Sequence, residues 1–204
     1  MDTEHEFEDR GYVRQWAQTA DTRRPQRPVM FRHIAALVEG LGAGAPHVLE
    51  LGCGPGTLAE SLLGRIAELT YEGVDYSPAM LELARETLAP FGARARLHRA
   101  DLREATWTTI VDVEPNAIVT NQALHDLGNA EGVEATYRRA RALLPAGGLF
   151  ANAELVVADG SASGKPGKLS VDRHLALLAS AGFVDAHAEL AFAEYVCLVA
   201  RAPG

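Results

Sequence analysis

Cysteine is scarce in this chain. Cys53 and Cys197 are the only two and lie far apart, which leaves neither a disulfide framework nor a cysteine metal site. Basic charge is short as well: 19 Lys and Arg face 27 Asp and Glu, and the net charge of −8 excludes a generic attraction to nucleic acid or to an anionic bilayer. Lysine is nearly absent, with Lys165 and Lys168 alone beside 17 arginines. No apolar run approaches the roughly 18 residues that a membrane span needs. The opening MDTEHEFEDR is acidic where a secretory signal would be positive and then apolar, so the chain is expected to stay in the cytoplasm. No internal repeat and no Pro/Ser/Gly-rich linker divides it.

What is present is an ordinary globular balance, 48% hydrophobic and 23% charged over 204 residues, enough for one core without staples. Strand and helix patterns alternate. Met30, Phe31, Ile34, Leu37, Val38 and Leu41 form a helical stripe over 29–41, and strands are expected at 46–51, 69–74, 94–99, 116–121 and 148–157. Between them lie a helix carrying Leu58, Leu62, Leu63 and Ile66, one opened by Ser77 as N-cap with Pro78 behind it, and helices at 131–144 and 171–181. Two closing strands, 183–190 and 193–201, read as an antiparallel hairpin. The pattern predicts an α/β fold, a Rossmann-like seven-stranded, mostly parallel sheet with helices on both faces, whose one antiparallel strand comes with the hairpin at the edge. Residues 1–28 are expected to form a helical lid segment and 29–204 the main domain.

The sharpest local feature is VLELGCGPGT, where Gly52, Gly54 and Gly56 follow the first strand and precede a helix. Glycine suits a tight turn that must let a ligand approach the backbone. The spacing is not G-x-G-x-x-G, because the sixth position from Gly52 is Thr57, and no lysine stands near a Walker loop. Asp75 ends the second strand, where a carboxylate can accept both ribose hydroxyls of an adenosine. Asp101 follows the third strand, within reach of an exocyclic adenine amine. Glu50, just before the loop, would repel pyrophosphate and suits a cationic ligand.

ELGCGPG, with Asp75, Asp101 and the later TNQALHDL, resembles the S-adenosylmethionine-dependent class I methyltransferases over most of the chain. The resemblance implies that Glu50, Gly52, Gly54 and Gly56 hold the amino-acid end of the cofactor, Asp75 its ribose and Asp101 its adenine amine. Tyr76, Met80 and Leu102 would pack near the ring, with Cys53, Ala100, Asn121 and Gln122 also in the cofactor site. Two departures are visible: Leu144-Pro145-Ala146-Gly147-Gly148 carries an extra residue before its glycines, and Asn116 stands where an Asp is common.

The segment Asn121–Asp126 is expected beside the transferable methyl. His125, with an ordinary imidazole pKa near 6.5, is the candidate general base, or alternatively only shapes the pocket, with Asp126 as its orienting neighbour. Thr120-Asn121-Gln122-Ala123 lacks the prolines and the stacking aromatic ring that base-modifying relatives carry at the place the resemblance implies. Acceptor choice is expected from residues 1–28 and the loop at about 159–168. Tyr12, Trp16 and Phe31 are candidate lid contacts. Arg23, Arg24 and Arg27 are read first as a solvated approach paired with acidic residues 2–9, and otherwise as an anchor for an anionic acceptor or its phosphopantetheine carrier. His33, His47, His98, His174 and His187 show no metal-ligand spacing and go to surface or core. The expected activity is methyl transfer to an O or N atom of a small molecule, natural products and anions included. The alternatives are an RNA or protein methyltransferase, and a cofactor-binding protein without transfer. No nucleic-acid, membrane or metal partner is expected, and the working unit is a monomer or homodimer.

Overall fold

The computed structural model describes residues 6–42, 44–161 and 166–204. Seven strands form one sheet in the order β3-β2-β1-β4-β5-β7-β6. The strands are β1 (His47–Leu51), β2 (Thr70–Asp75), β3 (Ala95–Arg99), β4 (Ala117–Asn121), β5 (Leu149–Leu155), β6 (Val184–Phe192) and β7 (Tyr195–Arg201). The helices are α1 (Arg10–Arg23), α2 (Arg27–Glu39), α3 (Thr57–Arg65), α4 (Pro78–Leu88), α5 (Ala130–Leu143) and α6 (Val171–Ser180). None is long and apolar enough to cross a membrane.

β1, β2, β3, β4 and β5 pair in parallel, and burial on both faces explains the mainly apolar β1, β4 and β5, whereas β3 at the edge is partly exposed and basic. Their alternation splits the core in two. Val48, Tyr71, Val119 and Ala151 face one side with Met30, Ile34 and Val38 of α2 and Leu58 and Leu62 of α3. Leu49, Leu51, Ile118 and Phe150 face the other, with Tyr137 of α5 and Leu177 and Leu178 of α6. Each large side chain so buried contributes about 1.5–3 kcal/mol.

One expectation needs correction. The hairpin forms, but its antiparallel strand β7 inserts between β5 and β6, so the edge strand is β6, which runs parallel to β5. The physical reason is in the side chains. Tyr195–Ala200 is buried at every position and needs cover on both sides, whereas β6 alternates exposed polar residues and tolerates an open edge.

Local chemistry sets the helix starts. Ser77 Oγ accepts from Met80 N at 3.0 Å, and Pro78 takes the first helical position, as the sequence signals. Asp9 caps α1 through Tyr12 N at 2.7 Å, and Asn129 caps α5 through Gly132 N. The α2 helix begins at Arg27, so the expected boundary at 28/29 falls inside its first turn. The α1 helix lies along α4: Val13 is buried with Ala79 and Met80, and Arg10 and Arg14 reach Glu82 and Glu86.

Candidate active site

The carboxyl ends of β1, β2, β4 and β5 open into a cavity of about 360 Å³, roofed by α1 and the chain before it. Parallel sheets bind ligands at this end because the strand order reverses there, between β1 and β4. The glycine loop forms its floor. Gly52, Gly54 and Gly56 all take positive φ, and a Cβ on Gly52 would collide with that of Ala123. Gly54 N donates to Asp75 Oδ2 at 2.8 Å and Ser77 N to Asp75 Oδ1 at 2.9 Å, so the end of β2 locks the loop that follows β1.

Two carboxyls in this wall are buried. Burial pushes Glu50 up to about 8, although Tyr71 donates to its Oε2 at 2.7 Å. Burial likewise raises Asp75, opposed by the backbone N–H groups of Ser77 and Gly54. Asp101 is different: the Arg103 side chain forks onto both of its oxygens at 2.7–3.0 Å and holds it below the ordinary carboxylate range. Cys53 is buried and burial drives its thiol well up, which makes it a filler and no nucleophile.

His125 sits in a 3-10 turn at Leu124–Asp126, just beyond β4. Its Nδ1 lies 2.7 Å from Oε1 of Glu154, a fully buried residue of β5 that the sequence reading did not single out. Glu154 also accepts from Leu155 N at 2.7 Å, Leu124 N at 3.0 Å and His125 N at 3.3 Å. Burial would raise this carboxyl, but His125 and the backbone donor hold it below its usual range. An ionised carboxylate has no proton to offer, so Nδ1 of a neutral His125 must donate. The lone pair is then on Nε2, with Asp126 Oδ2 at 3.5 Å. Asp126, expected as the orienting neighbour, is exposed and at longer range; Glu154 is the group that sets the ring.

Gln122 turns the chain after β4 with φ +52, a strained value for a residue with a side chain. Tyr195 OH donates to Asn121 Oδ1 at 2.5 Å, and Asn121 and Gln122 both line the cavity. So do Glu50, Gly52, Cys53, Gly54, Asp75, Tyr76, Met80, Ala100, Asp101 and Leu102, whereas Gly56 lies one step back as the left-handed N-cap of α3.

The arginines part company with expectation. Arg27 is 3% exposed, sandwiched against the Trp16 and Phe31 rings at 5.9 and 5.2 Å, and donates to Thr57 Oγ1 at 2.9 Å. Its ion-pair partner is Asp21 at 3.3 Å, and Glu50 lies within its electrostatic reach. The solvated pairing with residues 2–9 therefore fails for Arg27, because the ring sandwich and Thr57 draw it inward. Residues 1–5 of that acidic stretch lie outside the described residues. Tyr12 and Trp16 line the cavity, joined by Phe7, which the sequence reading passed over; Phe31 is buried behind Arg27 and is not part of the wall.

Of the loop at 159–168, residues 162–165, Lys165 included, lie outside the described residues. Gly167 packs against the His125 carbonyl so closely that a Cβ there would clash. Among the five other histidines of the described residues, His47 and His98 flank buried Glu72 and His174 shares a hydrogen bond with Tyr137 OH.

A family model described as a methyltransferase domain matches residues 48–148, about half of the chain. The trans-aconitate 2-methyltransferase of Delftia acidovorans is 41% identical over 90 residues, 44% of this chain and 31% of that protein. The chain thus spans about a third of the length of this curated relative. An O-methyltransferase family protein from Burkholderia thailandensis superposes with a TM-score of 0.81 at 20% identity, covering 99% of this chain and 63% of that one. A SAM-bound amino pentose methyltransferase from Micromonospora echinaspora superposes with a TM-score of 0.69 at 20% identity, over 85% and 90% of the two chains. With the glycine loop, the buried Glu50 and Asp75 and the seven-stranded order in place, the chain belongs to the class I S-adenosylmethionine-dependent methyltransferases.

Proposed function

We propose that this protein transfers a methyl group from S-adenosylmethionine to an oxygen or nitrogen of a small-molecule acceptor. The observation that carries the reading is one cavity that joins the glycine-loop carboxylates to a histidine whose tautomer is set by Glu154. The cofactor, when bound, supplies an electrophilic methyl on a sulfonium. The residues present fit it. Glu50 suits its ammonium group, and Arg27, beside Thr57 and within reach of Glu50, suits its carboxylate rather than the acceptor expected for it. Asp75 suits the ribose hydroxyls. Asp101 keeps acceptor capacity for an adenine amine while holding Arg103, and Met80 and Leu102 supply apolar cover.

On the acceptor side, His125 Nε2 takes the proton that a hydroxyl or amine must lose, while Tyr12, Trp16 and Phe7 exclude water from above. Most of the acceleration comes from alignment in this enclosed space. The wall is completed by the chain's own α1, which supports residues 1–28 as a lid and a site that works within a monomer or each half of a homodimer. The curated relative's name makes trans-aconitate its acceptor, which supports a small, carboxylate-bearing molecule here. The net charge of −8 supports an enzyme without a nucleic-acid partner, and two free, buried cysteines suit the reducing cytoplasm expected for it.

Saturating S-adenosylhomocysteine at about 100 times its Kd is expected to add about 2.7 kcal/mol, raising the unfolding midpoint by roughly 5–11 °C for a chain this size. The shift should vanish in Asp75→Ala, which also strands Gly54 N and Ser77 N. An undiminished shift in that variant would remove Asp75 from the cofactor site.

A pH dependence follows from Glu50. Its folded-state value near 8 lies above the unfolded one, so the folded protein carries the extra proton between the two, and its stability falls as pH rises through that window. An ammonium ligand favours the ionised form and expels the proton. Calorimetry should find the Kd for S-adenosylhomocysteine weakening by up to about tenfold per unit from pH 8 to 6. Glu50→Gln should flatten the slope; an equal slope in the variant assigns the proton elsewhere.

A further inference from the structure

The three arginines of the lid have different partners, although Arg23 and Arg27 share the Trp16 ring. Arg27 points to the glycine-loop side, through Thr57 at the start of α3. Arg24, at the C-cap of α1, goes to the β5 side: its Nη2 lies 3.5 Å from Glu194 Oε1, and the Glu194 carbonyl accepts from Val156 N, two residues past Glu154. The strand that holds His125 through Glu154 thus also carries the turn that Arg24 touches.

Arg24 is under-satisfied there. A guanidinium offers five N–H donors. Arg24 makes two long contacts, both at 3.5 Å, one to Glu194 and one to the Arg23 carbonyl, while its Nε is buried without a hydrogen-bond partner among the described residues. Glu194 is half-exposed and shared with Lys168 at 3.3 Å, so it is a weak competitor for the fork. Arg24 and Arg23 both line the cavity, and Arg23 is stacked 5.1 Å over Trp16.

Charge accounting then separates the wall. Glu50 and Arg27 suit the two charges on the amino-acid end of the cofactor, and Asp101 is paired with Arg103. Asp75 is taken by the Gly54 and Ser77 N–H groups and the expected ribose, and Arg23 is occupied by the Trp16 carbonyl at 2.8 Å and its ring, so Arg24 is left over, with His125 and Asp126 also in the lining. An acceptor there meets positive charge at one end and a base beside a carboxylate at the other. A base is superfluous for a carboxylate nucleophile, which is ionised at neutral pH without help. It is useful for a hydroxyl.

Resting on the methyl-transfer reading above, we propose that the acceptor is a hydroxy acid, held by its carboxylate on Arg24 and methylated on its hydroxyl oxygen beside His125. The hydroxyl oxygen forms the new O–CH3 bond, its proton passes to His125 Nε2, and the C–S bonding pair stays on sulfur. The product is an ether, with the carboxylate intact. The aromatic wall of Phe7, Tyr12 and Trp16 fits a ring between the two groups, so a phenolic acid is the first probe.

The test uses the full chain with S-adenosylmethionine and matched probes: 4-hydroxyphenylacetate, 3-hydroxybenzoate and malate, their methyl esters, the dehydroxy compound phenylacetate, and trans-aconitate. Transfer is read as S-adenosylhomocysteine formed, and the methylated position by mass spectrometry before and after mild alkali, which cleaves esters and spares ethers. A hydroxy acid should give an alkali-stable product, with its ester and phenylacetate at least tenfold poorer. Arg24→Ala should raise KM for the acid by about tenfold to a hundredfold, leave its kcat within about threefold, and leave the S-adenosylhomocysteine thermal shift at its wild-type size; Arg24→Lys should recover part of the KM. Esters used as well as acids, an unchanged KM in Arg24→Ala, alkali-labile product alone, or no hydroxy acid accepted overturns the proposal. Absence of the wild-type thermal shift would instead bring down the methyl-transfer reading on which it rests.

Discussion

Glu154→Gln is expected to lower turnover by about 10²–10⁴-fold while leaving the S-adenosylhomocysteine thermal shift intact, because the change is nearly isosteric yet reverses the hydrogen-bonding logic at His125. The carboxylate accepts from the ring Nδ1 and from three backbone N–H groups, those of Leu124, His125 and Leu155. A carboxamide has one accepting oxygen and two N–H donors. Whichever way it turns, a donor of the amide meets either a backbone donor or the ring nitrogen. If it meets the ring, Nδ1 becomes the acceptor and the proton moves to Nε2, the atom that must take a proton from the acceptor. His125→Ala should fall by a similar factor, and the double variant no further than the worse single one, since the two residues act as one unit. Single-turnover kinetics with each variant decides the matter. Turnover within about twofold of wild type in Glu154→Gln would leave His125 as pocket wall and remove the base.

Gly52→Val is the second large effect: no detectable S-adenosylhomocysteine shift, and an unfolding midpoint lower by about 4–20 °C. Two costs combine. A left-handed backbone strains an L side chain by about 1–2 kcal/mol, and forcing extra carbons into a packed site costs about 1–3 kcal/mol more. Gly52 has φ +68 and its missing Cβ is where the Ala123 methyl lies, so both apply. The cofactor loss follows because the loop backbone cannot move without pulling Gly54 N off Asp75. Gly64→Ala is the control: Gly64 lies inside α3 with nothing within 4 Å of the added methyl, and the exchange should stabilise by up to about 1 kcal/mol. A Gly52→Val protein that binds S-adenosylhomocysteine normally would show that the loop is only a turn.

Much of this was readable beforehand, for reasons that differ element by element. The glycine loop, Asp75 and the Ser77-Pro78 start are legible because each rests on a backbone requirement that few residues meet. The central strands are legible because parallel strands covered on both faces are mainly apolar. Glu154 was hidden in a mainly apolar strand, Leu149–Leu155, where a lone acid signals a buried charge only if a partner is known, and that partner, His125, comes from a different strand end. Arg27 was misread because local sequence shows it among Arg23, Arg24 and Asp21, while the Trp16 and Phe31 rings that draw it inward belong to two different helices. Phe7 escaped notice for the same reason: its place is set by the Ser77 hydroxyl donating to the Phe7 carbonyl, a contact seventy residues away.

By itself, then, the sequence determined the class of fold, the cofactor loop and the acidic residue types around it. Periodicity, turn chemistry and glycine's freedom act within a few residues of the chain, so they are written locally. The tertiary structure alone decided that β7 lies inside the sheet, that Glu154 and not Asp126 sets the His125 tautomer, and that Arg27 is drawn to Thr57 while Arg24 reaches Glu194. Those outcomes depend on which distant groups share a buried space, where an unpaired charge or donor is costly and each must find its partner across the fold.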